Sequence, residues 1–389
     1  MTPEQASADT RYSAVIEIRF HLGELYFLMP FLYCVAPSAD APVCLLFTRK
    51  ALFEQFRGDR LLSLAAERIG AVVITCFTDG LTGSSAPDTP ETRQAAARMR
   101  RDINAVLERT DLFLVQITGG YAERLLQRWP SGQPRIVRFP HTSAPALFDV
   151  DQARKQNPIQ HKGAGDPLLI WDPEAASYYA LYGVENTVVL GYHCLRDEWL
   201  SLVEECREQG EPDALVFSYR PRDTILPMEK WVELHRSTYA VIREEFPDLP
   251  ITIKPHPNQD PSQLEALASR FGWSNVRISV ENPAILAANA RFAVSFLTGG
   301  IFNTMLLDVP SINYFNARED YVRGRGAYKQ RYAELGIPDV EDEAGLRSAL
   351  RSCRDTDCTT GFGDIKREIV CITSFTDFRR RVEAAHSDI

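Results

Sequence analysis

Short, nearly continuous apolar runs alternate with segments of helical period along almost the whole chain, and that alternation restricts the fold more than any other feature. Strand-like runs fall at 14–18, 43–47, 71–76, 112–117, 135–139, 168–171, 187–190, 214–219, 251–254, 276–280, 292–296 and 311–314. Helix-period segments separate them at 91–108, 121–129, 173–182, 198–209, 230–246, 263–271 and 283–289. Strands that are apolar along their whole length are covered on both faces, and strands joined through helices run parallel. The pattern restarts near 191–212: a strand ends at Gly191, a charged helix follows, and Gly210-Glu211-Pro212 precedes a fresh strand. The expected fold is α/β, with two Rossmann-like domains facing across a cleft. The domains are expected at 1–195 and 196–370, with a helix at 371–389 crossing back onto the first. A chain of 389 residues is long for one core and comfortable for two.

Two of the strand-like runs end in residues suited to an anion. Ile251-Thr252-Ile253 leads into Lys254-Pro255-His256-Pro257, where each proline keeps the residue before it extended. Lys254 and His256 are therefore expected to leave the sheet together, where they could neutralise a phosphate and His256 could protonate it. The plain alternative is a stiff surface turn. Phe292-Ala293-Val294-Ser295 leads into Phe296-Leu297-Thr298-Gly299-Gly300 and then a helix-like segment. Gly299 and Gly300 would let backbone approach a ligand, with Ser295 and Thr298 adding hydroxyls; the alternative is a tight turn. In an open parallel sheet, ligands bind at the carboxyl ends of strands, so two such ends outline a nucleotide site.

Asp223, in Ser218-Tyr219-Arg220-Pro221-Arg222-Asp223, stands just beyond the first strand of the second half. It could be a nucleophile, the cap of the helix starting near Met228, or a partner of Arg220 or Arg222. In the first half, His21-Leu22-Gly23-Glu24 follows a strand and opens a helix, and His141 ends another strand as a candidate general base. For either histidine a satisfied structural role is the competing reading. Thr118-Gly119-Gly120 repeats the glycine-turn pattern weakly. Asp149 and Asp151 are further acid/base candidates, with a surface role as the alternative.

Composition removes several classes. The formal charge is −9, which argues against a nucleic-acid partner. The eight cysteines are scattered, with no CxxC pair, and point to a reducing cytoplasm. The longest apolar stretch, 25–36, is too short to span a bilayer and holds Pro30. Peripheral attachment to the inner face of a membrane would act through the basic runs 98–101 and 379–381. Their acidic neighbours favour solvated helix faces instead. No DxD-like carboxylate pair stands at a strand end, so neither a metal nor any other resident cofactor is expected.

These residues together resemble glycosyltransferases of the GT-B architecture. Residues 168–315 are similar to the donor domain of bacterial surface-polysaccharide transferases, among them capsule and lipopolysaccharide enzymes, sialyltransferases with an HP motif, and CDP-glycerol transferases. The likeness includes the segment 175–184 leading to Val188-Val189-Leu190-Gly191. It implies that His256, Ser295 and Thr298 contact the phosphate of CMP. An aspartate after the first donor-domain strand, followed by a KPHP strand end, looks most like the retaining β-Kdo transferases, whose donor is CMP-Kdo. That likeness places the nucleophile on Asp223; the glutamine four residues before that aspartate is Tyr219 here. Retention by two inversions needs such a carboxylate. The implied partners are a nucleotide sugar and a glycan or lipid-linked glycan acceptor, with membership of a larger polymerase as an option. The alternatives are a CDP-glycerol-type or sialyl transferase, a UDP-sugar epimerase, or a non-catalytic glycan-binding or partner-binding module on the same fold.

Overall fold

The computed structural model describes residues 10–77, 89–117, 134–140, 147–154, 166–181, 183–207, 210–355 and 361–387. His141, residues 118–120, the helix candidate at 121–129 and Cys358 lie outside the described residues. The chain forms two compact units, one of residues 1–143, 159–194 and 370–389, the other of residues 144–158 and 195–369.

The first unit is built on a seven-stranded parallel sheet. Its strands are β1 (Tyr12–Ile18), β2 (Val43–Phe47), β3 (Val72–Thr75), β4 (Thr110–Gln116), β5 (Arg135–Phe139), β6 (Leu168–Ile170) and β7 (Thr187–Val189), in the order β3-β2-β1-β4-β5-β6-β7. Every residue of β1 is buried, as a central strand covered on both faces requires. The apolar run at 25–36 becomes the helix Gly23–Val35, whose residues from Phe27 to Leu32 are all buried, Pro30 included. Among the described residues no helix is long and apolar enough to cross a membrane. The last helix, Phe375–Ser387, packs on this unit: the Phe378 ring meets Phe31 edge-on at 4.9 Å, and Ser38 Oγ accepts the Phe375 N–H at 2.7 Å. Burying each of those rings contributes about 1.5–3 kcal/mol, so the helix is anchored by its apolar face.

The second unit carries a six-stranded sheet in the order β10-β9-β8-β11-β12-β13, with every pair parallel. Its strands are β8 (Asp213–Phe217), β9 (Ile251–Lys254), β10 (Val276–Ile278), β11 (Ala290–Ser295), β12 (Ser311–Tyr314) and β13 (Asp339–Val340). The chain moves outward from β8 to β9 and β10, then returns to the other side of β8 at β11. That reversal makes the carboxyl end of β8 a topological switch point, where an open α/β sheet leaves a crevice for ligands. The helix Met228–Glu245 connects β8 to β9, burying Trp231, Leu234, His235, Val241 and Ile242 on one face. Helices Pro261–Arg270 and Pro283–Asn289 follow, each begun by a proline behind a side-chain cap, Asp260 and Asn282 respectively.

Candidate active site

Register fixes the floor of the site. Phe217 of β8 is level with Lys254 of β9 on one side and Ser295 of β11 on the other, and Ser295 is level with Asn313 of β12. The strand ends stay joined by backbone bonds beyond this row: Ser218 N–H to Lys254 O at 2.9 Å, and Phe296 N–H to Phe217 O at 3.0 Å. The KPHP turn and the Thr-Gly-Gly turn therefore leave the sheet from strands that flank one central strand.

The loop after β11 is bent by its own side chains. Ser295 is fully buried, and its hydroxyl accepts the Thr298 N–H at 3.2 Å. Thr298 Oγ1 in turn accepts the Gly300 N–H at 3.0 Å. Leu297 is held at a φ of 58°, a left-handed conformation costly for a side chain with a Cβ, and its N–H is received by Asn313 Oδ1 at 3.1 Å. Gly300 lies so close to β8 that a Cβ there would meet the Phe217 ring at 2.5 Å. Here the glycine is a packing requirement. The outward-facing point of this turn is Gly299, which is exposed.

On the β9 side, Lys254 Nζ donates to Val280 O at 2.7 Å, and His256 is half-buried with its Nδ1 receiving the Asn258 N–H at 3.1 Å. That bond places the acceptor nitrogen at Nδ1, so neutral His256 carries its proton on Nε2. The Tyr219 ring stands edge-on to His256 at 5.3 Å. Tyr219, Arg220 and Arg222 come from the segment after β8. Neither Arg220 nor Arg222 forms an ion pair among the described residues.

Asp223 sits in a tight turn closed by reciprocal backbone bonds between Arg222 and Leu226, both 2.8 Å. It is exposed, and it does not cap the following helix, whose N-cap is Pro227 without a side-chain cap bond. The turn rests on the helix Arg318–Arg325: a Cβ at Gly324 would lie 1.8 Å from Thr224 O. A carboxylate is thus offered to solvent on a backbone that is packed from beneath.

Three buried residues beneath this surface carry no signal in the sequence pattern. His235 is fully buried; its Nδ1 is 2.8 Å from Trp231 O, which can only accept, so Nδ1 bears the proton. Burial pushes its pKa down to about 4. Its Nε2 lies 3.0 Å from Ser218 Oγ, which is also 2.9 Å from Gln259 Oε1. The single Ser218 hydroxyl proton thus has three acceptors in reach, Tyr219 O at 3.3 Å being the third, and Gln259 Oε1 also receives the His256 N–H at 3.3 Å. Asn313 is the third hidden member, since its Nδ2 donates to Asp339 at 2.7 Å while its Oδ1 fixes Leu297.

In the first unit, the edge after β1 holds Glu24, fully buried, accepting the N–H groups of Arg19 at 2.9 Å and Phe20 at 3.1 Å. Burial raises its pKa to about 8. Asp149 and Asp151 belong to the second unit, where Asp149 receives the Gln152 N–H at 2.9 Å and Asp151 pairs with Arg154 at 3.3 Å. A pocket of about 360 Å³ lies at the amino ends of β8, β9 and β10, lined by Asp213, Thr252, Asn275 and Arg277. It is on the opposite edge of the sheet from the residues above, and the switch-point argument gives it no part in the chemistry. Among the described residues no group of three or more His, Cys, Asp or Glu side chains could hold a metal ion.

No family model matches the chain, and no curated protein matches it in sequence. Solved structures do. The chain is similar to the wall teichoic acid polymerase TagF, with a TM-score of 0.54 and 12% identity over 99% of this chain and 90% of that one. It is also similar to a UDP-glucose:anthocyanidin 3-O-glucosyltransferase solved with UDP, at 0.52 and 11% over 98% and 100% of the two chains. A UDP-GlcNAc 2-epimerase from Methanocaldococcus jannaschii gives 0.51 and 14% over 92% and 97%. The chain has the GT-B fold. At these identities the likeness establishes the architecture, and the chemistry has to be argued from the residues of the second GT-B unit.

Proposed function

We propose that this chain is a glycosyltransferase using a CMP-activated sugar, with CMP-Kdo as the donor and a bacterial surface glycan as the acceptor. The observation that carries the reading is the row Lys254, Phe217, Ser295 at the switch point. Around it stand Lys254, His256, Arg220 and Arg222 in a chain of net charge −9. A phosphate bound there would meet the His256 imidazole, the Lys254 ammonium and the exposed backbone at Gly299, with Gly300 packed behind it on Phe217. Charge-assisted hydrogen bonds of this kind are about twice as strong as neutral ones.

In the proposed reaction, the Asp223 carboxylate attacks the anomeric carbon as the bond to the CMP oxygen breaks. The bonding pair leaves on the phosphate, where His256 and Lys254 neutralise the developing charge. An acceptor hydroxyl, giving its proton to a general base, then displaces Asp223. Two inversions give net retention. His141 is the proposed base. The Asp223 turn fits the nucleophile's role, since it is exposed and its backbone is seated on Gly324.

Donor trials with CMP-Kdo, CMP-sialic acid, CDP-glycerol and UDP-sugars test the reading. CMP-Kdo should turn over, with a Kdo adduct on Asp223 visible by intact mass when acceptor is scarce. Near-normal turnover by both Asp223→Ala and His256→Ala would remove it.

A further inference from the structure

Arg220 and Arg222 are half-buried, yet among the described residues their guanidinium groups pair with no acid and bond to no carbonyl. Every other half-buried arginine described in this unit is matched. Arg196, Arg207, Arg318, Arg331 and Arg347 pair with acids, and Arg243 donates to backbone carbonyls. Taking a guanidinium partly out of water without a partner is unfavourable. Among the described residues this unit does so only in the segment after β8.

That segment is fixed at both ends. Ser218 N–H is bonded to Lys254 O at 2.9 Å, and Arg222 exchanges backbone bonds of 2.8 Å with Leu226. Pro221 stands between the two arginines and keeps Arg220 extended. The Tyr219 ring, beside Arg220 in the chain, meets His256 at 5.3 Å. The arginines therefore lie along the backbone that joins the proposed phosphate position to Asp223, and Arg222 immediately precedes Asp223.

For one class of donor this adjacency has a chemical consequence. In a 2-keto acid sugar, the anomeric carbon itself carries the carboxylate. A carboxylate nucleophile attacking that carbon approaches a second carboxylate one bond away, and like charges at that distance repel. A neutral aldose donor makes no such demand. Cations beside the nucleophile offset the repulsion, and a guanidinium can give a carboxylate two parallel hydrogen bonds.

We infer that Arg220 and Arg222 bind the carboxylate of a 2-keto acid sugar and so select an acidic donor over a neutral one. They form an anion subsite separate from the phosphate position at His256, Lys254 and Gly299. The inference rests on the nucleotide-site reading above, with Asp223 as nucleophile.

Calorimetric titration of CMP and of CMP-Kdo tests it, in an Asp223→Asn parent that cannot form the adduct. The variants added to that parent are Arg220→Gln, Arg222→Gln, Arg220→Lys and Arg222→Lys. Because neither guanidinium has a partner to lose in the described fold, the Gln variants should melt no lower than the parent. Each Gln variant should bind CMP-Kdo about tenfold or more weakly, the scale of one lost charged hydrogen bond. CMP affinity should stay within about twofold, and lysine should restore part of the loss. Equal losses for CMP and CMP-Kdo would put the arginines at the phosphate and overturn the inference, as would no loss for either. A parent that binds CMP and refuses CMP-Kdo would also overturn it, while leaving the nucleotide site standing. Failure of the parent to bind either ligand refutes the nucleotide reading itself, and the inference falls with it.

Discussion

Gly324→Ala is the perturbation that separates the Asp223 turn from the proposed phosphate site. The added Cβ would lie 1.8 Å from Thr224 O, a backbone atom with no rotamer to change. Carbon and carbonyl oxygen approach comfortably to about 3.3 Å, so the turn or the helix must move by roughly 1.5 Å. Overpacking of this kind costs about 1–3 kcal/mol, against which alanine returns up to about 1 kcal/mol of helix propensity. The variant should therefore fold with modestly reduced stability. Asp223, the residue before Thr224, moves with the turn, and a displacement of about 1 Å at a reacting group can cost on the order of 100-fold. The expected result is a kcat about 100-fold lower with CMP-Kdo and glycan acceptor, while CMP affinity, read by calorimetry, stays within about twofold. Turnover within threefold of wild type would refute the argument that Gly324 seats the nucleophile. A matching loss of CMP affinity would show that the turn and the phosphate site are not separable.

Other consequences follow from the hidden residues. His235 has a folded pKa of about 4 against an ordinary 6.5, so the unfolded chain binds a proton that the folded chain refuses. Stability from this residue is fully present above about pH 6.5 and falls as pH drops toward 4, by on the order of 3 kcal/mol. Urea titrations across that range should show the decline, and His235→Gln should flatten it; an unchanged slope would contradict the assignment. Asn313→Ala leaves the Leu297 N–H without its acceptor and should cost about 1–3 kcal/mol. CMP binding should weaken as the loop relaxes, and a change under about 0.5 kcal/mol in urea would count against it. Gly300→Ala forces the Phe217 ring or the loop apart and should weaken CMP binding about tenfold or more, measured by calorimetry.

Most strands of both sheets were legible because they are largely apolar runs, although β5 holds Arg135 and Arg138 and β10 holds Arg277. β13 was not. Asp339–Val340 is two residues long and joins the sheet through the pairing of Asn313 with Asp339. The helices Lys50–Gly58 and Arg60–Arg68 are also absent from the sequence reading, each being only nine residues long, with two and four buried positions respectively. The row of Lys254, Phe217 and Ser295 could be anticipated from strand order, since neighbouring parallel strands bring their carboxyl ends to one edge. Gln259, His235 and Asn313 could not. Each acts through a contact across 16 to 41 residues of chain, and neither periodicity nor turn chemistry reports such contacts. Gly324 was equally silent, because nothing in its helix marks the carbonyl of Thr224 pressing against it.

The central claim is that the carboxyl edge of β8, β9 and β11 is a cytidine monophosphate site. Calorimetric titration of CMP, UMP, UDP and GDP into the wild type and His256→Ala tests it most directly. The account predicts that CMP binds at least tenfold tighter than the others, and that His256→Ala loses about tenfold or more of that affinity. Tighter binding of UDP or GDP, or a CMP affinity untouched by His256→Ala, would contradict it.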